Sequence, residues 1–163
     1  MGCGNAESIS GKYKTMINFS DDTPDWIKDW VTWATSLLIP EWDVSVNMVD
    51  DFKEDANDTT IWNNDGDLSS DRDGEILCSS ENLTAHVKLK KCIEDTTKGH
   101  IGVVHEICHA VTCRMSESAK NLISSKVVRK TAWKSYDAAE EETVVRLSRS
   151  LVQLREGRIN GTT

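Results

Sequence analysis

Two of the four histidines in this chain stand four residues apart, in His105-Glu106-Ile107-Cys108-His109, just after the apolar pair Val103-Val104. That spacing constrains the local fold more than any other feature. Residues i and i+4 of an α-helix lie one above the other on a single face, so both imidazoles can reach one ion. Neutral imidazole nitrogen is a preferred ligand of Zn2+, which it binds at about 2.0–2.1 Å in a tetrahedral arrangement. Glu106 projects beside the pair, where it can hold a water on the metal and accept its proton. Val103, Val104, Ile107 and Val111 supply apolar packing that would seat this helix in a core. Two surface histidines on an ordinary helix are the plain alternative. The HExxH pattern in a helical context favours a metal site.

A catalytic zinc site takes three protein ligands and keeps one position open. The HExxHxxGxxH continuation is absent, because Thr112 and Met115 occupy the places of its Gly and third His. His86, His100, Asp137 and the run Glu140-Glu141-Glu142 remain as candidates. His100 shares the helix and is badly placed to close a tetrahedron, while His86 lies on a preceding strand. The acidic run opens the last amphipathic helix, whose core-facing stripe would carry a carboxylate to the metal. Glu141 precedes Val144, Val145 and the small Ser148 on one face, and Ser148 would let two helices approach closely. Glu140 aligns instead with Val144, Leu147 and Leu151, and Glu142 shares a face with Arg146 and Arg149. Glu141 is therefore taken as the third ligand, with Glu140 as the alternative. An acidic helix N-terminus stabilised by the macrodipole would explain the run without any metal. Tyr136 can donate to a developing oxyanion or simply pack, and Asp137 can orient a ligand imidazole. Cys108 reads as a small buried hydrophobe.

The rest of the chain describes one α+β domain. Its 163 residues suffice for a real core, and 38% hydrophobic and 28% charged residues exclude collagen-like, coiled-coil and wholly disordered classes. No apolar run approaches the roughly 20 residues that span a bilayer. The first residues lack the basic and apolar regions of a signal peptide, and Ala6 stands where a myristoylation signal wants Ser or Thr, so a cytoplasmic protein is expected. A net charge of −8 disfavours nucleic acid, although Lys88, Lys90 and Lys91, and Lys126, Arg129 and Lys130, are locally basic. Five cysteines without a CxxC pair read as reduced thiols.

Residues 1–20 show little periodicity and are expected to be a poorly ordered arm before a single domain at 21–157 and a tail at 158–163. Thr23 and Pro24 look like the N-cap and first position of a helix whose face is Trp26, Trp30, Trp33 and Leu37, stopped by Pro40. Trp42 to Val49 and Leu83 to Lys90 alternate as strands, the second with lysines that suit an exposed face or edge. The Asp- and Asn-rich stretch from Asp50 to Glu75 is the least ordered, and Ser69, Asp71, Asp73 and Gly74 within it match only part of an EF-hand loop. Helices are expected at Gly99–Met115, at Glu117–Arg129 and at Asp137–Leu154, the last with the stripe Val144, Leu147, Leu151 and Leu154 and a stop at Gly157.

The HExxH segment followed by Glu141 at the opening of an amphipathic helix resembles the gluzincin type of zinc metallopeptidase. The small size and the order helix, strands, HExxH helix, Glu helix resemble one-domain zincin-like peptidases encoded by phages and mobile elements. A more distant similarity is to peptidases that cleave phage-immunity repressors, whose Glu-x-x-Ala-Asn is replaced here by Val144-Val145 after Glu141. The likeness covers residues 42–155. It implies a zincin-like domain with a small sheet packed against the HExxH helix and a C-terminal glutamate-bearing helix. It also implies Zn2+ on His105, His109 and Glu141, and cleavage of a peptide or protein substrate with Glu106 as base and then proton donor to the leaving amine. No nucleic acid or membrane partner is expected. Two other classes compete. One is a catalytically silent binding module with a structural or lost metal, using the Trp26, Trp30 and Trp33 stripe and an acidic surface. The other is metal-assisted hydrolysis of a bond other than a peptide.

Overall fold

Alternation of apolar and polar residues builds the sheet. The structure, a computed structural model, describes residues 15–52, 73–122 and 126–160, with side chains at 15–52, 73–119 and 132–157. Among these, the strands are β1 (Ile17–Phe19), β2 (Asp43–Val49), β3 (Gly74–Ser79) and β4 (Thr84–Lys90), and the helices are α1 (Asp25–Leu38), α2 (Thr97–Leu122) and α3 (Lys126–Asn160). The strands form one sheet in the order β1-β2-β4-β3. β1, β2 and β4 are parallel neighbours, and β3 joins the edge antiparallel to β4. The register sets Val44 opposite Ala85, Val46 opposite Val87 and Met48 opposite Leu89. All six are buried beneath the helices, where each large one is worth about 1.5–3 kcal/mol. The alternate residues Asp43, Asn47 and His86 face outward and are exposed.

Several expectations are corrected. β4 is a central strand rather than an edge, and Lys90 on it is buried. Its lysines are neutralised: Lys88 pairs with Glu75, Lys90 with Asp51, and the adjoining Lys91 with Asp22 and Asp50. Residues 15–20, assigned to a loose arm, contain β1, held by Val44 N–H donating to Met16 O at 2.8 Å. Ser69 and Asp71 of the EF-hand-like stretch lie outside the described residues, Asp73 precedes β3, and Gly74 opens β3, a strand the sequence pattern does not predict. Leu83, in the left-handed region at φ 52°, turns β3 into β4.

Helix α1 buries Ile27, Trp30, Val31, Ala34 and Thr35, a face rotated from the tryptophan stripe. Trp26 and Trp33 are half-buried and Leu37 is exposed. Thr23 does not cap the helix, since its hydroxyl lies 2.9 Å from that of Ser20. The helices expected at Gly99–Met115 and from Glu117 are one continuous element, α2, which touches α1, α3, β3 and β4. Val103, Val104, Ile107 and Cys108 are fully buried on it.

Helix α3 starts well before Asp137 and passes through Gly157. Its buried line is Val144, Ser148 and Val152, with Leu147 and Leu151 packed partly against the core and Leu154 exposed. Side chains near its end are tied down, which offsets the roughly 1 kcal/mol that Gly costs a helix. Arg155 lies over Trp30 and Trp33, at 4.1 and 4.9 Å from their rings, and pairs with Asp29 at 2.5 Å. Glu156 accepts from His100 Nδ1 at 2.8 Å. No helix among the described residues is long and apolar enough to cross a membrane.

Ser148 is fully buried, with its hydroxyl donated to Val145 O. Ser148→Leu should therefore overpack the core beneath α3 and lose about 1–3 kcal/mol in chemical denaturation. Ser148→Ala should cost no more than about 1 kcal/mol.

Candidate metal centre

Helix α2 presents the two imidazoles as the i, i+4 spacing requires. Their rings meet edge to face with centroids 4.8 Å apart, and the two Nε2 atoms are 3.1 Å apart. Helix α3 brings Glu141 to the same point: Oε1 lies 3.2 Å from His105 Nε2 and Oε2 lies 3.4 Å from His109 Nε2. Tetrahedral bonds of about 2.0–2.1 Å place donors about 3.3 Å apart. One nitrogen from each ring and a carboxylate oxygen, all within 4.8 Å of one another, thus make a donor set that can hold a metal ion.

Glu140 and Glu141 face different nitrogens of the His109 ring. Glu140 is mostly buried and lies behind His109, with Oε1 3.6 Å from Nδ1, an ion-pair contact too long for a good hydrogen bond. Its carboxylate accepts from Thr112 Oγ1 at 2.5 Å and from Ser116 Oγ at 2.7 Å. Glu141 therefore faces the Nε2 atoms of both histidines, while Glu140 is fixed beside His109 Nδ1, where it can orient the ring.

Glu106 is 8% exposed and lies against the backbone of β3. A Cβ on Gly74 would come within 2.6 Å of Glu106 Cγ, so glycine is what admits this side chain.

The other candidates lie elsewhere. His86, on the outer face of the sheet, has Nδ1 2.6 Å from Ser45 Oγ. His100 binds Glu156 and Asp95 and stacks on Trp30 at 4.4 Å, away from the two-histidine site. Asp137 is exposed. The Tyr136 hydroxyl is 3.2 Å from Ser116 Oγ, and its ring stacks on Trp133, so it belongs to the Glu140 network. Glu142 pairs with Arg146. Cys108 is fully buried, which pushes its thiol up to about 12, in keeping with a buried hydrophobe.

The sequence reading gives Thr112 and Gly74 no part in this site and does not single out Ser116. The signal for Thr112 and Ser116 was their own i, i+4 spacing on α2, matched by Glu140 in line with Val144, Ser148 and Val152. Nothing in the sequence ties Gly74 to Glu106.

Burial works against a charged His109, but contacts with Glu140 and Glu141 and the charge of Glu106 outweigh it and raise its pKa from 6.5 to about 9. Burial likewise opposes the Glu140 carboxylate, yet His109, Thr112 and Ser116 hold it down from 4.5 to about 2. The two histidines hold Glu141 well below the usual carboxylate range. The raised His109 pKa stabilises the metal-free fold fully below pH 6.5, and that contribution is lost as pH rises through about 9. The lowered Glu140 pKa acts in the opposite sense: its contribution is full above pH 4.5 and lost as pH falls through about 2. Thermal unfolding in a chelator should show greatest stability between pH 4.5 and 6.5, with decline on both sides.

Comparison with known proteins gives no match: no protein-family model, no curated protein and no solved structure matches this chain.

Proposed function

We propose that this chain is a zinc-dependent peptidase of the zincin-like, gluzincin type. The observation that carries the reading is the meeting of His105, His109 and Glu141 within 4.8 Å, with Glu106 following His105 on the same helix and its charge acting on His109. A zinc ion, when bound, supplies Lewis acidity that lowers the pKa of water and polarises a carbonyl. His105, His109 and Glu141 would hold it, and Glu140 keeps the His109 ring turned so that Nε2 faces the site. Glu106 takes the proton of the attacking water on its carboxylate and returns it to the leaving nitrogen. Its contact with Gly74 restricts the directions this side chain can take.

An extended peptide is the substrate that suits the surroundings. Among the described residues β3 pairs only with β4, so its other edge offers backbone N–H and C=O groups to a further strand. β3 also packs on α2, with Gly74 at the level of Glu106. The competing binding-module reading draws its interface from the Trp26, Trp30 and Trp33 stripe together with an acidic surface. Trp30 is buried, and Arg155 lies over both Trp30 and Trp33.

Protein purified without added metal should contain about one zinc per chain by elemental analysis, and His105→Ala should remove it. Glu106→Gln should retain zinc yet lose about a hundredfold or more of its hydrolysis of an unfolded protein substrate. Zinc that persists in His105→Ala, or full activity in Glu106→Gln, contradicts the proposal.

A further inference from the structure

Strand β3 runs beside α2, and two contacts fix how they align. At one end the Gly74 backbone meets Glu106. At the other, the backbone N–H and hydroxyl of Ser80 both donate to the Glu117 carboxylate. A strand advances about 3.3 Å per residue and a helix about 1.5 Å. Cys78, about two-thirds of the way from Gly74 to Ser80, therefore falls level with Cys113, about two-thirds of the way from Glu106 to Glu117. Both side chains point into the interface. Cys78 stands opposite the buried Ala85, and period-2 alternation puts it on the same face as Ser80. Cys113 is one turn before Glu117, with Sγ 3.7 Å from Glu117 Oε1. Cys78 stands close enough to Cys113 to act on its thiol.

We propose that Cys78 and Cys113 are a disulfide-forming pair, oxidised by exchange with low-molecular-weight disulfides, whose bond locks β3 onto α2. Cys78 is half-buried and Cys113 buried, and burial together with Cys78 and Glu117 pushes the Cys113 thiol up, so Cys78 is the entering group. Its thiolate attacks one sulfur of the external disulfide, whose sulfur–sulfur bond breaks and releases one thiol. Cys113 then gives up its proton towards Glu117, attacks the Cys78 sulfur of the mixed disulfide and expels the second thiol. Two protein thiols are oxidised as one external disulfide is reduced to two thiols. The new bond sits one helical turn beyond His109 and fixes the strand against which Glu106 rests. It uses none of the proposed metal ligands, so it stands whether or not the chain is a peptidase.

The test uses the full chain with Cys3→Ser and Cys92→Ser, which removes an exposed competitor thiol at 92 and one at 3 that lies outside the described residues. After incubation with oxidised glutathione and blocking of remaining thiols, a non-reducing peptide map should contain a Cys78–Cys113 cross-link. The same treatment of a chain that also carries Cys78→Ser should leave Cys113 as a blocked thiol. Recovery of Cys78 and Cys113 as separate blocked thiols, or glutathione retained on Cys78, overturns the proposal.

Discussion

The placement of α3 against α2 governs the rest of this molecule. The line Val144, Ser148, Val152 is buried, and its middle member is small enough to let backbone and core come close. One turn earlier the same helix delivers two consecutive glutamates, which an α-helix sets about 100° apart. That angle lets Glu141 reach the Nε2 atoms of both histidines while Glu140 passes behind His109 to its Nδ1. One helix contact thus brings Glu141 to a donor set that can hold a metal ion and Glu140 to the far side of the His109 ring.

Carboxylates outnumber imidazoles in the centre, so a cation would be well received there. Glu106, Glu140 and Glu141 surround two imidazoles, and Thr112 and Ser116 hold Glu140 in its ionised form. A proton on His109 offsets part of that negative charge, which is why its pKa rises despite burial. A divalent ion would displace that proton and offset more of the carboxylate charge.

The i, i+4 spacing of the two histidines is more legible than the frame around them, because helical spacing acts locally. The small Ser148 is less telling: the buried line through it is in step with Glu140 rather than with Glu141. The hidden features depend on tertiary contact. β1 is only three residues long and forms because Val44 and its neighbours offer an edge. β3 begins with a glycine whose purpose emerges only when Glu106 lies against it. Gly157 reads as a helix stop by local preference, yet Arg155 and Glu156 bind Asp29 and His100 on either side of the helix end and carry it through. The tryptophan stripe marks α1 correctly but misplaces its buried face, because large aromatic rings at the margin of a core cover it without being fully enclosed.

The most direct measurement is the anomalous density of a crystal grown with zinc, collected on either side of the zinc absorption edge. The account predicts one strong peak bounded by His105 Nε2, His109 Nε2 and the Glu141 carboxylate, with Glu140 still hydrogen-bonded to Thr112 and Ser116. A structure in which the two rings face solvent with no peak between them, or in which Glu141 turns away and another group completes the shell, would contradict it.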